Sequence, residues 1–322
     1  MRNFAGSRAF RWRGPGTLND TARQSFFAPF GTEAERILSL FGWMTLAGVA
    51  ILVGVLALSM FAIRREGGTL THRQGMRLVL WLGAVIPSVL LLTLLVATLP
   101  AMRPMAAGPA DLRIVVSGEQ FWWRVAYQPP GAAPVETANE VRVPVGRTVE
   151  FRLEAADVLH SFWIPGLAGK MDMIPGRTNR LVVRATRAGR YRGQCTEFCG
   201  LSHALMAFDV VAMEPAAFDA WLERQRAPAR AQGPGMRLFA AHGCAGCHAI
   251  RGAGAAGTIG PDLTHIGSRA HLGAGTRPMN VPELIRFIRD APEMKPGARM
   301  PAFPQMPRAE AEAIARTLME LK

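Results

Sequence analysis

Two long runs without a charged side chain restrict what this chain can fold into more than any other feature of its sequence. The first extends from Ile37 to Ile63 and the second from Leu78 to Leu99, and arginines precede both. At about 1.5 Å per residue, helices of these lengths cross the ~30 Å hydrocarbon layer of a bilayer. Two buried helices of a large soluble core are the alternative, which uncharged runs of this length make improbable. We therefore expect residues 37–106 to form a two-helix transmembrane hairpin.

The connector between the two runs predicts the orientation of the hairpin. Residues 64–77 contain four arginines against the single Glu66. Short arginine-rich loops stay in the cytoplasm, so both ends of the hairpin are expected on the outer side of a bacterial inner (plasma) membrane. Residues 1–36 also carry arginines but contain no apolar core typical of a signal peptide, so we expect an N-terminal tail there.

After residue 107 the hydrophobic pattern changes to short segments that alternate apolar and polar residues. Glycine and proline separate five such segments: Leu112–Val116, Glu140–Val145, Thr148–Leu153, Arg180–Ala185 and Ala207–Ala212. Short strands at close spacing favour an antiparallel sandwich or barrel over a parallel sheet. The sequence thus predicts an all-β domain over residues 107–227.

One loop of this β domain concentrates side chains that bind soft metals. Two thiols, an imidazole, a thioether and a carboxylate stand within twelve residues, and a second imidazole precedes them: Cys195, Cys199, His203, Met206, Glu197 and His160. Sulfur together with imidazole selects copper. One copper needs a single thiolate, whereas two thiolates can bridge two coppers that each take one histidine. The thioether of Met206 and the backbone carbonyl of Glu197 would then be weak outer ligands.

Simpler interpretations of these residues exist. Cys195 and Cys199 can form a disulfide in an oxidising compartment, His203 can cap a helix or lie in a core, and Met206 can pack. Each is plausible singly, but together they are improbable. A zinc site of two cysteines and a histidine is the stronger competitor, and it leaves Met206 unexplained.

A third module follows the segment 228–235, whose composition is typical of a linker. It contains Cys244-Ala245-Gly246-Cys247-His248, the attachment motif of c-type haem, in which both thiols bind the haem and the histidine ligates iron. A thioredoxin-like redox pair is the alternative, but the adjacent histidine and the missing strand–helix context argue against it.

Iron in such a module needs a sixth ligand, and a thioether raises its potential into the range of an electron carrier. Four methionines are candidates: Met279, Met294, Met300 and Met306. We favour Met300, because Pro296–Pro301 resembles the Met-Pro loop of small cytochromes c and lies between helices predicted at Val281–Asp290 and Pro307–Leu321. Residues 236–322 resemble an all-α class I cytochrome c domain. The remaining histidines are expected to be ordinary surface or loop residues: His72, His242, His265 and His271.

Residues 37–225 as a whole resemble subunit II of the haem–copper cytochrome c oxidases. The Cys-x-x-x-Cys-x-x-x-His-x-x-Met loop and the stretch 170–179 carry this resemblance. It implies a multidomain membrane protein in which a cupredoxin-like sandwich holds the dinuclear copper centre CuA. The copper ligands it implies are His160, Cys195, Glu197 (through its carbonyl), Cys199, His203 and Met206. It also implies that the Glu197 side chain reaches a magnesium ion shared with subunit I.

The aromatic residues at which electrons enter depart from the family pattern. The family has a Trp-Tyr-Trp run where this chain has Gln120-Phe121-Trp122-Trp123, and Phe121 stands where the entry tryptophan is expected. Phe121, Trp122 and Trp123 are therefore candidates for electron entry. Filling of the domain core is the alternative.

The resemblance implies an electron-relay subunit of a terminal respiratory oxidase, without an oxygen-reducing site of its own. Electrons would pass from haem c to the copper centre and on to subunit I, which reduces oxygen to water. The expected partners are subunit I, other oxidase subunits, a donor such as cytochrome c or a cytochrome bc complex, and the lipid bilayer. No nucleic-acid partner is expected.

Other functions fit the sequence less well. A CuA-bearing nitric oxide reductase would use a similar accessory chain. Nitrous oxide reductase has a related copper domain but neither a membrane hairpin nor a fused cytochrome. A periplasm-facing copper-delivery protein has no use for the haem that Cys244–His248 predicts.

Overall fold

A computed structural model describes residues 24–64, 70–99, 110–129, 131–230 and 232–322. The chain divides into two compact units, one of residues 35–109 and one that combines residues 1–34 with 110–322. Most of the predicted N-terminal tail, part of the arginine-rich connector and the end of the predicted hairpin lie outside the described residues.

The first unit contains two helical stretches at the two predicted apolar runs. Helix α1 spans Thr32–Arg64, and the second stretch consists of α2 (His72–Leu80), a wider π-helical turn (Trp81–Val85) and α3 (Ile86–Thr98). Both stretches are long and apolar enough to cross a membrane, and their large apolar side chains are exposed.

Local chemistry explains where the second stretch begins and why it continues through Pro87. The Thr71 hydroxyl accepts a hydrogen bond from the Gln74 N–H, and the Gln74 side chain accepts one from the Thr71 N–H. Pro87 has no N–H and crowds the preceding turn. That turn is widened, with the Ile86 N–H bonded to the Trp81 carbonyl five residues back, which accommodates the proline ring.

The second unit begins with a sandwich of two five-stranded sheets. The first sheet has the order β3 (Val135–Ala138), β2 (Trp122–Gln128), β1 (Leu112–Glu119), β5 (Thr148–Ala155), β8 (Asn179–Arg184). The second has the order β4 (Glu140–Pro144), β10 (Ala207–Met213), β9 (Gly189–Cys195), β6 (His160–Trp163), β7 (Met171–Met173). All five predicted strands are present in this sandwich.

The predicted antiparallel sandwich also contains two parallel pairings. Strand β1 pairs with β5, and β4 with β10, in parallel. The cause is the turn 145–147, which carries the chain from the second sheet to the first, so that β5 enters beside β1 and does not fold back on β4. Its position between the sheets is fixed by the Val145 N–H, bonded to Met213 O, and the Gly146 N–H, bonded to Ala185 O.

Aromatic side chains fill the space between the two sheets. Trp123 is fully buried, with its ring centroid 5.1 Å from that of Phe208 and 5.9 Å from that of Phe162. Helix α4 (Pro215–Arg226), which the sequence patterns did not predict, places Trp221 5.1 Å from Tyr127 and closes one side of the core. Phe30, from the segment expected to be a tail, is also buried here and stacks on Tyr191.

The cytochrome module is mostly helical. Its helices are α5 (Pro234–Ala241), α6 (Val281–Arg289), α7 (Ala291–Met294) and α8 (Arg308–Glu320). A Cβ at Gly235 would lie 2.4 Å from the Ala313 carbonyl oxygen, so the missing side chain allows α5 to pack closely on α8. The all-α prediction needs a correction, because two short antiparallel pairs are present: β11 (Ala249–Ile250) with β12 (Ala255–Ala256), and β13 (His271–Leu272) with β14 (Arg277–Pro278).

The turn between β13 and β14, which we call the 273–276 turn, has an unusual backbone. Gly273, Ala274 and Gly275 all have φ between +60° and +77°, a left-handed conformation that favours glycine. Ala274 is fully buried, and its carbonyl accepts a hydrogen bond from the Ala207 N–H of β10. The turn therefore joins the cytochrome module to the second sheet of the sandwich.

Candidate copper and haem sites

The sandwich brings the predicted copper ligands together at one end of the second sheet. His160 begins β6 and Cys195 ends β9, and these strands pair next to each other. The loop after Cys195 closes on itself because the Cys195 N–H donates to Met206 O at 2.9 Å. A Cβ at Gly118 would lie 2.8 Å from the His160 ring, so that glycine leaves room for the imidazole.

Each thiol lies beside one imidazole. Cys195 Sγ is 3.9 Å from His160 Nδ1, and Cys199 Sγ is 3.7 Å from His203 Nδ1. The two sulfur atoms are 3.8 Å apart, well beyond the ~2 Å of a disulfide bond. Met206 Sδ lies 3.8 Å from Cys199 Sγ. On the other side, the Glu197 carbonyl oxygen is 3.2 Å from Cys195 Sγ.

The electrostatics of the loop favour a thiolate at Cys195. The contact with Cys199 lowers the pKa of Cys195 to about 3, against an opposing effect of burial and with help from His160. The same contact raises the pKa of Cys199, because a second negative charge beside the first is unfavourable. A divalent or mixed-valence metal pair would remove that repulsion. The donor set of two thiols, two imidazoles, a thioether and a carbonyl fits copper, and the thioether sets it apart from a zinc site.

The tautomer of His160 is set by Asp157. Its carboxylate oxygen Oδ1 lies 2.9 Å from His160 Nε2, so Nε2 carries the proton and Nδ1 is left free on the side of Cys195. Burial would raise the pKa of Asp157, but hydrogen bonds from the Gln120 N–H and from His160 outweigh it and lower the pKa. The carboxylate thus stays charged and orients the imidazole.

The side chain of Glu197, predicted to reach magnesium, points toward an ammonium group. Its Oε2 is 3.6 Å from Lys170 Nζ, which is itself 2.8 Å from the Asp172 carboxylate. Two carboxylates therefore meet at this edge, with Lys170 between them.

A cavity of about 440 Å³, lined mainly by the cytochrome module, includes the predicted haem residues. Cys244, Cys247 and His248 line it. The His248 Nδ1–H donates to Pro261 O at 2.8 Å, which leaves the lone pair of Nε2 for a metal. Burial lowers the pKa of His248, so the imidazole is neutral. A Cβ at Gly260 would lie 2.5 Å from the imidazole ring. The lining residues thus fit a covalently bound haem with one histidine ligand.

Of the four candidate methionines, Met279 and Met300 line this cavity. Met306 packs in the hydrophobic core of the module, and Met294 is also buried.

The structure separates the three candidate entry aromatics. Phe121 and Trp122 line the cavity, whereas Trp123 lies in the core of the sandwich. Phe121 is wedged between two loops, since a Cβ at Gly200 or at Gly297 would lie 3.0 or 3.1 Å from its ring. Gly200 belongs to residues 195–206, which we call the copper loop, and Gly297 belongs to the cytochrome module.

Comparisons with known proteins identify the family to which the chain belongs. Residues 126–213 match the family model of the periplasmic domain of cytochrome c oxidase subunit II, and residues 233–322 match that of cytochrome c. Cytochrome c oxidase subunit 2 of Alkalihalophilus pseudofirmus is 39% identical over 250 residues, which cover 74% of this chain and 71% of that protein. The chain belongs to the cytochrome c oxidase subunit 2 family.

Two further proteins of this family are similar to the chain. The subunit 2 of Bacillus subtilis is 32% identical over 254 residues, which cover 74% of this chain and 70% of that protein. The periplasmic domain of subunit II of cytochrome oxidase from Bradyrhizobium japonicum is 32% identical, with a TM-score of 0.35, and the match covers 38% of this chain and 97% of that domain. The predicted family and enzyme class, a subunit of a haem–copper terminal oxidase, are confirmed. The subunit II domain implies copper and the cytochrome c domain implies haem c.

Sequence reasoning missed the residues through which the copper and haem modules contact each other. His271, expected to be an ordinary residue, places Nδ1 2.6 Å from the Asp209 carboxylate of β10. His265, expected at the surface or in a loop, is buried and its Nε2–H donates to Ala227 O. Lys295 is 3% exposed, and burial lowers its pKa to about 7. No local pattern in the sequence marks these contacts, because their partners lie far away along the chain.

Proposed function

We propose that this chain relays electrons from a fused haem c to a dinuclear CuA centre and on to subunit I, where oxygen is reduced to water. The pairing of each thiol of one loop with its own imidazole is the observation that carries this proposal. When bound, copper and haem iron supply the one-electron redox chemistry. The residues of this chain hold them, exclude water from them and set the distance between them.

Copper is assigned to the six groups that meet at the end of the second sheet: His160, Cys195, Glu197 through its carbonyl, Cys199, His203 and Met206. Their distances support two metals, because each thiol lies beside its own imidazole and the two sulfur atoms are 3.8 Å apart. Burial of both cysteines and of Met206 keeps water from the sulfur atoms.

Haem c is assigned to Cys244, Cys247 and His248, with Met300 as the sixth ligand. The presence of Met300 at the cavity, on a loop between α7 and α8, supports this choice. Met279 also lines the cavity, so a Met300→Ala variant is the direct check, with loss of methionine ligation in its optical spectrum expected.

Electrons are proposed to pass between the modules at Phe121 and Trp122, which line the cavity beside the copper loop. Trp123 is proposed as a core residue next to this route. The Glu197 carboxylate is proposed as a magnesium ligand at the contact with subunit I, where the cation would compete with the Lys170 ammonium.

The chain is proposed to be anchored in a bacterial inner membrane by its two apolar helices, with the copper and haem modules on the periplasmic side. Their length and apolar composition support the anchor. The proposed partners are subunit I, the other oxidase subunits, the surrounding lipid, and a donor such as cytochrome c or a cytochrome bc complex.

Metal analysis and electron spin resonance of the purified full chain test the proposal. Two coppers with hyperfine splitting from both nuclei, and one covalent haem per chain, are expected. Zinc in place of copper, or a single copper with splitting from one nucleus, would overturn it. In stopped-flow reduction, haem c should be reduced before copper, and the reverse order would contradict the relay.

A further inference from the structure

The loop that carries Met300 lies directly against the copper loop. We call residues 295–300 the strap. Its first residue, Lys295, is buried, and its Nζ donates to the Leu205 carbonyl at 3.0 Å and to the Gly273 carbonyl at 2.7 Å. Leu205 stands between the proposed ligands His203 and Met206, so the Lys295 side chain holds the turn that carries them.

The middle of the strap meets the same turn through its backbone. The buried Ser202 hydroxyl, adjacent to His203, donates to the Pro296 carbonyl at 2.7 Å. Gly297 lies against Phe121 and Leu201, so closely that a Cβ there would be 3.1 Å from the Phe121 ring. These contacts fix the strap on one side of the copper loop.

The end of the strap reaches the other histidine. Arg299 Nη2 donates to Asp157 Oδ2 at 3.1 Å, and the second oxygen of the same carboxylate holds His160 Nε2 at 2.9 Å. The next residue in the chain is Met300. One six-residue segment therefore contacts the surroundings of both copper-binding histidines and ends in the proposed haem ligand.

We propose that Lys295 and Arg299 are positioning residues that fasten the methionine loop of the haem site to both histidines of the copper site. The inference rests on the proposed function, because it assumes copper and haem at these residues. The strap fixes the separation of the two redox sites, on which the rate of electron transfer depends steeply. It also couples them, since a shift of the copper loop displaces the haem ligand loop.

The test compares Lys295→Leu and Arg299→Gln in the full chain with Lys322→Leu and Arg308→Gln, which remove a charge from exposed positions of the same module. Copper and haem content are measured first, and both centres are expected in all four variants. Electron transfer from haem c to copper is then expected to slow on the order of tenfold in the strap variants alone. Hydrogen exchange at the Ala207 N–H, which bonds to Ala274 O, should accelerate in Lys295→Leu.

Two conservative variants separate positioning from general loss of structure. Lys295→Arg and Arg299→Lys keep the donors and are expected to recover most of the rate. Arg299 is largely exposed, with 61% of its side chain accessible, so Arg299→Gln does not disturb a core. If the strap variants contain copper and haem and transfer electrons as fast as the controls, the proposed role of the strap is wrong. The proposed electron relay would not be affected by that result. Absence of copper or haem from the unmodified chain overturns the proposed function itself.

Discussion

Asp157 accepts a hydrogen bond from His160 Nε2 on one carboxylate oxygen and one from the Arg299 guanidinium on the other. Sequence chemistry pointed to the proposed metal ligands, because thiols, imidazoles and a thioether at this spacing suit few other purposes. It could not find Asp157, Ser202 or Lys295, since carboxylates, hydroxyls and ammonium groups are common on any surface. Their roles arise only from partners that the fold brings close.

Replacing Asp157 by asparagine should weaken copper binding by about 10- to 100-fold, because a neutral amide, which can present a donor as well as an acceptor, replaces the carboxylate that fixes the tautomer of the imidazole. Competition with a copper chelator, followed by absorption of the copper–thiolate bands, measures this affinity. Asp219→Asn is the matched control, since Asp219 lies on α4, pairs with Arg147 and stands outside the copper loop. Equal copper affinities in the two variants would show that Asp157 does not orient His160.

Ligation of the haem iron by His248 is expected to depend on a similar local detail at Gly260. A methyl group there would lie 2.5 Å from the His248 ring. Gly260→Ala should therefore displace the imidazole and change the ligation of iron, visible as a high-spin optical spectrum, with both thioether links retained. An unchanged low-spin spectrum would mean that the ring tolerates the extra carbon atom.

Strands and helices differ in how well their patterns predicted them. The two apolar helices were found because their sequences are long runs without a charge. The five strands were found because burial of one face leaves a clear alternation of apolar and polar residues. Strands β6 and β7 were missed because they are three or four residues long, too short for a period to show. The parallel pairing of β1 with β5 was missed for another reason, since alternation is the same in parallel and antiparallel neighbours.

Glu150 on β5 ties three strands of the first sheet together. Its carboxylate contacts Arg113 of β1, Arg152 of β5 and Arg180 of β8. Burial would raise the pKa of Glu150, but the hydrogen bonds from these arginines outweigh it, so the pKa lies below its usual value. The native state then binds the proton less readily than the unfolded chain, and this contribution to stability is lost as the pH falls below about 4.3 and through the lowered pKa.

Glu150→Gln should accordingly lower the free energy of unfolding at neutral pH by about 1 kcal/mol, because the arginines are partly exposed. The difference from the unmodified protein should shrink as the pH falls below the usual glutamate pKa. Denaturant unfolding at several pH values measures both effects. Glu223→Gln, at a more exposed ion pair on α4, is the control, and an equal pH dependence in both variants would count against the role of Glu150.

At the scale of the whole molecule, the second unit joins two modules that the sequence presented as independent. The 228–235 segment was predicted to be a linker, yet Ala229 within it is buried and its N–H donates to Arg251 O. Contacts between the two modules connect residues that are far apart along the chain. For example, Arg124 Nη2 donates to Thr258 O at 2.8 Å. Neither local propensity nor a motif reports such docking, because each module has a complete pattern of its own.

Asp209→Asn removes the charged partner of His271 between β10 and β13. The modules should then dock more weakly, by about 0.5–1.5 kcal/mol, the usual net value of a hydrogen bond. Faster amide exchange confined to the contact at residues 207 and 274, with copper and haem content unchanged, is the expected result. Exchange that accelerates evenly through the sandwich would show that the variant has destabilised the copper module instead.

The left-handed 273–276 turn limits which haem proteins could replace the native one in a chimera. A side chain at Gly275 would be strained, because φ there is +77° and a Cβ would lie 3.1 Å from both the Ala207 Cβ and the Arg192 guanidinium. A different cytochrome domain grafted after residue 227 would need a glycine-rich turn of the same shape to contact β10. Chimeras that lack this turn should keep their haem and their copper. Electron transfer from haem to copper should nevertheless be slow in them, because the two modules would be connected only by the linker.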